Sequence, residues 1–191
     1  MRLGSAAALA LALALAGCSA DYVEDNQSPV ILRITSINGG ARLESDVKTG
    51  ANSDTVCPDL VELSVAVRPK NPNASIVQNA GDIFLQRYEV RYVRSDGRAV
   101  EGVDVPYRFS GLMTAVVAND ANASIDFEVV RRQAKLEPPL SQIDGAQIVT
   151  MFAEVTVYGE SVAGSGVSAS GQLQVTFLNV ADSNTSCPAG S

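Results

Sequence analysis

From residue 30 onward, apolar and polar positions alternate along one stretch after another. Val30, Leu32 and Ile34 alternate with Ile31, Arg33 and Thr35. Val61, Leu63, Val65 and Val67 alternate with Glu62, Ser64, Ala66 and Arg68, and Pro69 with the Asn71-Pro72-Asn73 stretch ends that run. Tyr88, Val90 and Tyr92 alternate with Arg87, Glu89 and Arg91. A period of two, rich in β-branched and aromatic residues, predicts half-buried β-strands. Ser95-Asp96-Gly97 reads as a hairpin turn, because Gly admits positive φ. The return strand is expected through Val100, Val103 and Val105, irregular at Gly102 and broken at Pro106. Residues 112–118 and 124–130 are expected to pair as a second hairpin across residues 119–123, with Ile125, Phe127 and Val129 on its core face. Two long strands close the pattern. Val149, Met151, Ala153, Val155 and Val157 line one, Leu173, Val175 and Phe177 line the other, and the Gly/Ser loop 159–166 joins them.

Little of the chain reads as helix. Residues 131–140, Arg-Arg-Gln-Ala-Lys-Leu-Glu-Pro-Pro-Leu, contain Pro138-Pro139, which limits any helix to a turn or so. This segment is expected to cross between sheets. About seven to nine strands with turn signals between them are best buried as two antiparallel sheets packed face to face. The expected fold is therefore an all-β, two-sheet antiparallel sandwich, immunoglobulin/fibronectin-III-like, with a small barrel or jelly roll as the alternative. The absence of Trp and the Cys spacing exclude a standard antibody-type domain.

The N-terminus follows a different pattern. Met1-Arg2 precedes an Ala/Leu run from residue 6 to residue 16, then Leu15-Ala16-Gly17-Cys18. The run is too short to span a bilayer, which takes ~20 residues, and fits a cleaved signal. The tetrapeptide resembles the lipobox of bacterial lipoproteins. The resemblance implies that residues 1–17 are a signal peptide and that Cys18 is lipidated and becomes the first mature residue. Ser19, where an Asp would signal retention, implies sorting to the outer membrane in a two-membrane host. Residues 18–28 then form the lipidated Cys and a polar, acidic tether. The sandwich domain is expected over residues 29–181, and residues 182–191 form a C-terminal tail.

Further along, Tyr88-Glu-Val-Arg-Tyr-Val-Arg-Ser-Asp-Gly-Arg98 and Gly102-Val-Asp-Val-Pro-Tyr-Arg-Phe109 resemble a block recurring in envelope lipoproteins of environmental bacteria. Residues 132–140 and 153–159 share the resemblance. It implies one intact domain and brings no activity with it.

Charge narrows the partners. The full chain holds 14 Lys+Arg against 21 Asp+Glu. Loss of residues 1–17 removes Arg2 and no acid, so the mature chain carries 13 against 21, a net charge of −8. Nucleic-acid binding wants clustered positive charge, so no nucleic-acid partner is expected. The expected partners are the membrane, through the lipid, and an envelope protein. With Cys18 assigned to lipid, Cys57 and Cys187 remain, an even pair that suggests a disulfide in an exported protein.

The chain has no His, which removes Ser-His-Asp and Cys-His catalysis and the commonest zinc ligand. None of Lys48, Lys70 and Lys135 sits in a Ser-x-x-Lys pattern, and no Gly-x-Ser-x-Gly or phosphate-binding fingerprint is present. No catalytic residue, metal ligand or cofactor is expected. Asn119, Asp120 and Asn122, or Glu44, Asp46 and Asp54, offer oxygen ligands for calcium, yet such residues also serve turns, which is the preferred reading. Asn26, Asn122 and Asn184 each sit in an Asp/Glu-x-Asn-x-Ser run that resembles a bacterial N-glycosylation acceptor. The candidate binding patch consists of the cationic cluster Arg131, Arg132 and Lys135, together with Asp104 and Tyr107. The competing reading gives the cations to edge cover and local pairing with Glu128 and Glu137.

Overall fold

The computed structural model describes residues 28–48, 56–73, 79–179 and 187. The expected signal peptide, Cys18, and most of the expected tether and C-terminal tail lie outside them. Eight strands follow in order: β1 Val30–Ile37, β2 Leu43–Asp46, β3 Asp59–Pro69, β4 Ile83–Arg94, β5 Phe109–Val117, β6 Asn122–Val130, β7 Val149–Ser161 and β8 Gly166–Leu178. A short helix, α1 (Arg132–Leu136), and a 3-10 turn at Leu140–Gln142 lie between β6 and β7.

The strands form two sheets, one of three strands in the order β1-β3-β6 and one of five in the order β2-β8-β7-β4-β5. The inward residues are those the alternation marks. Leu63, Val65 and Val67 of β3 face Tyr88, Val90 and Tyr92 of β4 and Val155, Val157, Val175 and Phe177 of β7 and β8 across one core. An aromatic edge keys the two layers together, Tyr88 meeting Phe127 with ring centroids 5.1 Å apart, while within the five-stranded sheet Tyr92 meets Phe177 at 6.4 Å. Gly111 lies beneath the Tyr88 ring, where a Cβ would overlap it.

The all-β, two-sheet expectation holds, with one departure from a purely antiparallel arrangement. β2 pairs with β8 in parallel, Leu43 beside Val175 and Ser45 beside Phe177. The reason is a kink rather than a reversal. Asn38, Gly39 and Gly40 all have positive φ, and they pass the chain from β1 in one sheet to β2 in the other without turning it back.

Two expected hairpins are corrected. The turn at residues 95–97 exists, with Gly97 at φ 86° and Arg94 N–H donating to Arg98 O at 2.9 Å. No return strand follows it. The N–H groups of Val103, Asp104 and Val105 all fold onto Val100 O, at 3.2, 2.8 and 3.2 Å, with Gly102 at φ 74°. The chain therefore forms a compact loop, and the next strand to pair with β4 along the chain is β5, with β7 on its other side. The second hairpin is also absent, because β5 pairs with β4 whereas β6 pairs with β3 in the opposite sheet. Both strands carry an apolar face, and both faces reach the core from opposite sides, so the intervening turn crosses the sandwich edge. Residues 131–140 do cross between the sheets, as expected, and β7 and β8 form the long closing hairpin.

Candidate functional site

The cationic segment after β6 is divided among three tasks. Arg131 lies over the Phe109 ring, 4.1 Å from its centroid, donates to Ser110 O and stands 3.8 Å from Glu128. Arg132 Nε donates to Val56 O at 3.1 Å. The adjacent Cys57 is bonded to Cys187, with 5.4 Å between the Cα atoms. Lys135 turns inward and is only 2% exposed. Its Nζ lies 2.9 Å from Asp59 Oδ2 and donates to Asp46 O at 2.8 Å. Ser45 Oγ donates to the same Asp59 oxygen at 2.6 Å. A buried ammonium is tolerated only when paired and hydrogen-bonded, and here it is both. Lys135 is thus withdrawn from any exposed docking patch, and its partner is Asp59 rather than Glu137. No spacing in the sequence could show this, because Asp59 comes from a distant strand.

Tyr92 borders the same node, its hydroxyl donating to Val129 O. Burial, reinforced by the carboxylates of Asp59 and Glu128, holds this phenol well above the ordinary tyrosine range. The whole arrangement joins β2, β3, β4, β6 and α1.

Asp104 and Tyr107 occupy the loop between β4 and β5. Asp104 is an internal brace, 3.3 Å from the Arg98 guanidinium and accepting from Val100 N–H at 3.4 Å. Tyr107 is exposed, its ring lying against Gly102. Val100 and Val103 are exposed on the same loop, while Val105 is fully buried and anchors it. The alternation pattern had assigned these Val residues to a strand, which hid their exposure.

On the outer face of the five-stranded sheet, Gln86, Arg87, Tyr158, Glu160, Ser168 and Ser170 line an open groove of about 710 Å³. Arg87 stacks on Tyr158, 3.5 Å from the ring centroid. Tyr158 donates to Glu89 at 3.4 Å, and Gln86 donates to Glu160 at 3.2 Å. Alternation alone does not mark this face, because each of its residues reads as the polar side of a strand.

Among the described residues, no group of His, Cys, Asp and Glu could hold a metal ion. The Asn119–Asn122 turn uses its own polar groups. Asn119 N–H donates to Asp82 at 2.8 Å, and Arg68 donates to Asn122 Oδ1 at 2.8 Å while standing 3.6 Å from Asp120. Asn122, expected in a loop, is the first residue of β6; Asn26 and Asn184 lie outside the described residues. Among the described residues, no helix is long and apolar enough to cross a membrane.

No protein-family model matches the chain, and no curated protein sequence matches it. Two solved structures align with most of it. One, a solution structure, is described as a "putative late embryogenesis abundant (LEA) protein"; it is 9% identical, over 81% of this chain and 75% of that one, with a TM-score of 0.42. The other is an X-ray structure of a Northeast Structural Genomics Consortium target. It is 11% identical, over 82% of this chain and 89% of that one, with a TM-score of 0.37. Likenesses at this level carry no functional argument.

Proposed function

We propose that this chain is a lipid-anchored cell-envelope protein, sorted to the outer membrane, whose domain is a non-enzymatic interaction or structural module. The observation that carries the anchor is Leu15-Ala16-Gly17-Cys18 directly after an uninterrupted Ala/Leu run. An acyl chain contributes about 0.8 kcal/mol per buried methylene, and more than one chain holds stably. The domain reads as immunoglobulin- or fibronectin-III-like. What supports this is the strand order: three strands face a sheet in which β5, β4, β7 and β8 follow the C′-C-F-G order of variable-type domains. Sandwiches of this class commonly bind through edges and loops rather than by chemistry.

The test replaces Cys18 with Ala in the full chain. The wild type should fractionate with membranes and weigh more than its mature polypeptide by the acyl groups. The variant should lose both properties. Unchanged fractionation and mass would overturn the anchor.

A second reading, carbohydrate or small-ligand binding, is favoured by the groove around Arg87 and Tyr158, whose hydroxyl, amide and guanidinium groups suit a polyol. A glycan array probed with the full chain tests it. Binding should weaken on Tyr158→Ala, and an array with no signal would remove this reading.

A further inference from the structure

Lys48 and Lys70 are exposed. Lys135 is buried, with its Nζ 2.9 Å from Asp59 Oδ2. Both backbones that carry this contact are fixed. Asp59 opens β3 in register with Val130, the last residue of β6. The helix α1 begins just beyond, at Arg132, whose Nε donates to Val56 O at 3.1 Å. Cys57, close before Asp59 in the chain, is tied to Cys187. Val130, paired with Asp59, and Val47, next to Asp46, are fully buried. An amine-bearing and a carboxyl-bearing side chain are thus held against each other in a largely dry site. Such preorganisation gives intramolecular reactions effective concentrations of about 10⁵–10⁸ M.

We propose that Lys135 and Asp59 condense into an intramolecular isopeptide bond, a covalent link between α1 and the start of β3. The ammonium passes one proton to the carboxylate, which gives an amine and a carboxylic acid. The nitrogen lone pair then attacks Asp59 Cγ. A C–N bond forms, a C–O bond breaks, and the departing oxygen leaves as water with the acid proton and one nitrogen proton. Nothing is oxidised or reduced, and no co-reactant is consumed. This goes beyond the reading of the domain as an envelope module and needs neither the lipid nor a partner.

Three observations favour the amide over a standing ion pair. The first is hydrogen bonding. An ammonium has three N–H donors, and among the described residues two acceptors meet Lys135, Asp59 Oδ2 and Asp46 O. An amide nitrogen keeps one N–H, and Asp46 O is already placed to accept it. The amide oxygen keeps Ser45 Oγ as its donor, now 2.6 Å from Asp59 Oδ2. The second is charge. Two ions taken out of water carry a desolvation cost that their attraction only partly offsets, and a neutral amide removes both charges. The third is an exit. The Asp59 side chain is 18% exposed and that of Lys135 1%, so the released water can reach solvent while the nitrogen stays enclosed. Two covalent links, this one and the Cys57–Cys187 bridge, then converge on the start of β3.

The test is peptide mapping of the full chain, reduced, alkylated and digested with trypsin. Trypsin cuts after Lys and Arg but not before Pro. Asp59 therefore falls in residues 49–70, and Lys135, once its side chain is blocked, in residues 133–191. Reduction is essential, because Cys57 and Cys187 lie in the same two peptides. The wild type should yield the two peptides joined, lighter than their sum by one water, with fragment ions placing the link at Asp59 and Lys135. Lys135→Arg keeps the charge without the reactive amine and should give linear peptides only. Asp59→Ala should leave Lys135 open to cleavage. Wild-type cleavage after Lys135, with both peptides linear, would overturn the proposal. So would a one-water loss found only at Asp96-Gly97 or Asp144-Gly145, where a succinimide weighs the same. A branch that persists in Lys135→Arg would overturn it as well. The wild-type map decides by itself, so the outcome stands even where a variant fails to fold.

Discussion

Arg98 closes the loop between β4 and β5 by holding two carboxylates. It donates to Asp96 from Nε at 3.0 Å and from a terminal nitrogen at 2.8 Å, and it reaches Asp104 at 3.3 Å. These hydrogen bonds favour the ionised carboxylate, and the Asp96 pKa is pushed down to about 2. A folded-state pKa below the unfolded one contributes stability above the unfolded value, which is lost as pH falls through the folded value. Asp96 should therefore titrate near pH 2 in a carboxyl-carbon NMR titration, and Arg98→Ala should return it towards the usual ~3.9. A wild-type midpoint near 4 would mean that these bonds do not persist in solution. The turn itself was legible, since Ser-Asp-Gly demands it. The brace was not, because Arg98 and Asp104 look like ordinary surface charges until Gly102 folds the loop and brings them together.

Strands were legible as strands, but their partners were not. Alternation marks which side chains of β5 and β6 are apolar, and both strands satisfy that mark equally well in one sheet or in two. The choice is made by the core, where Phe109 and Met113 approach from one side and Phe127 and Val129 from the other. β2 escaped notice altogether: four residues with two acids show little periodicity, and the strand exists because β8 offers it an edge. The helix α1 shows the same dependence. Nothing about residues 132–136 requires burial, yet Lys135 pins the crossover to Asp59 at the start of β3 and to the backbone of β2. Removing one member of a buried pair leaves the other charge uncompensated. Lys135→Met should cost about 3 kcal/mol in a denaturant midpoint, and adding Asp59→Asn should recover part of it. A loss below ~0.5 kcal/mol would place this pair with weak surface bridges.

At the scale of the molecule, the two ends of the sandwich differ in their constraints. Val30 enters beside Pro69, whereas Cys57 and Cys187 are joined at the other end, where Asp59 begins β3. Across the eleven residues of β3, the ends stand roughly 35 Å apart. A lipid on Cys18 would hold the Val30 end near the membrane and present the disulfide, α1 and the Val100–Tyr107 loop away from it. The bridge joins residues 130 apart in sequence and so restricts a large loop in the unfolded chain. Reduction should lower unfolding stability by up to about 4–5 kcal/mol while leaving one cooperative transition, because the two sheets share one core. This is read by comparing denaturant curves with and without reductant. A transition that splits in two would show that the bridge holds together parts that do not otherwise cooperate.

Local chemistry determined much of this protein from the sequence. Period-two alternation sets which residues face inward, Gly and Pro set where runs stop, and the absence of His removes whole classes of catalysis. Each is a property of neighbouring residues, so it survives without knowledge of the fold. Tertiary structure alone decided which strands share a sheet, that β2 runs parallel to β8, that Lys135 is buried on Asp59, and that β5, among the described residues, is an edge of its sheet. Those outcomes depend on groups far apart in the chain, and their energies exist only once packing has brought them within reach.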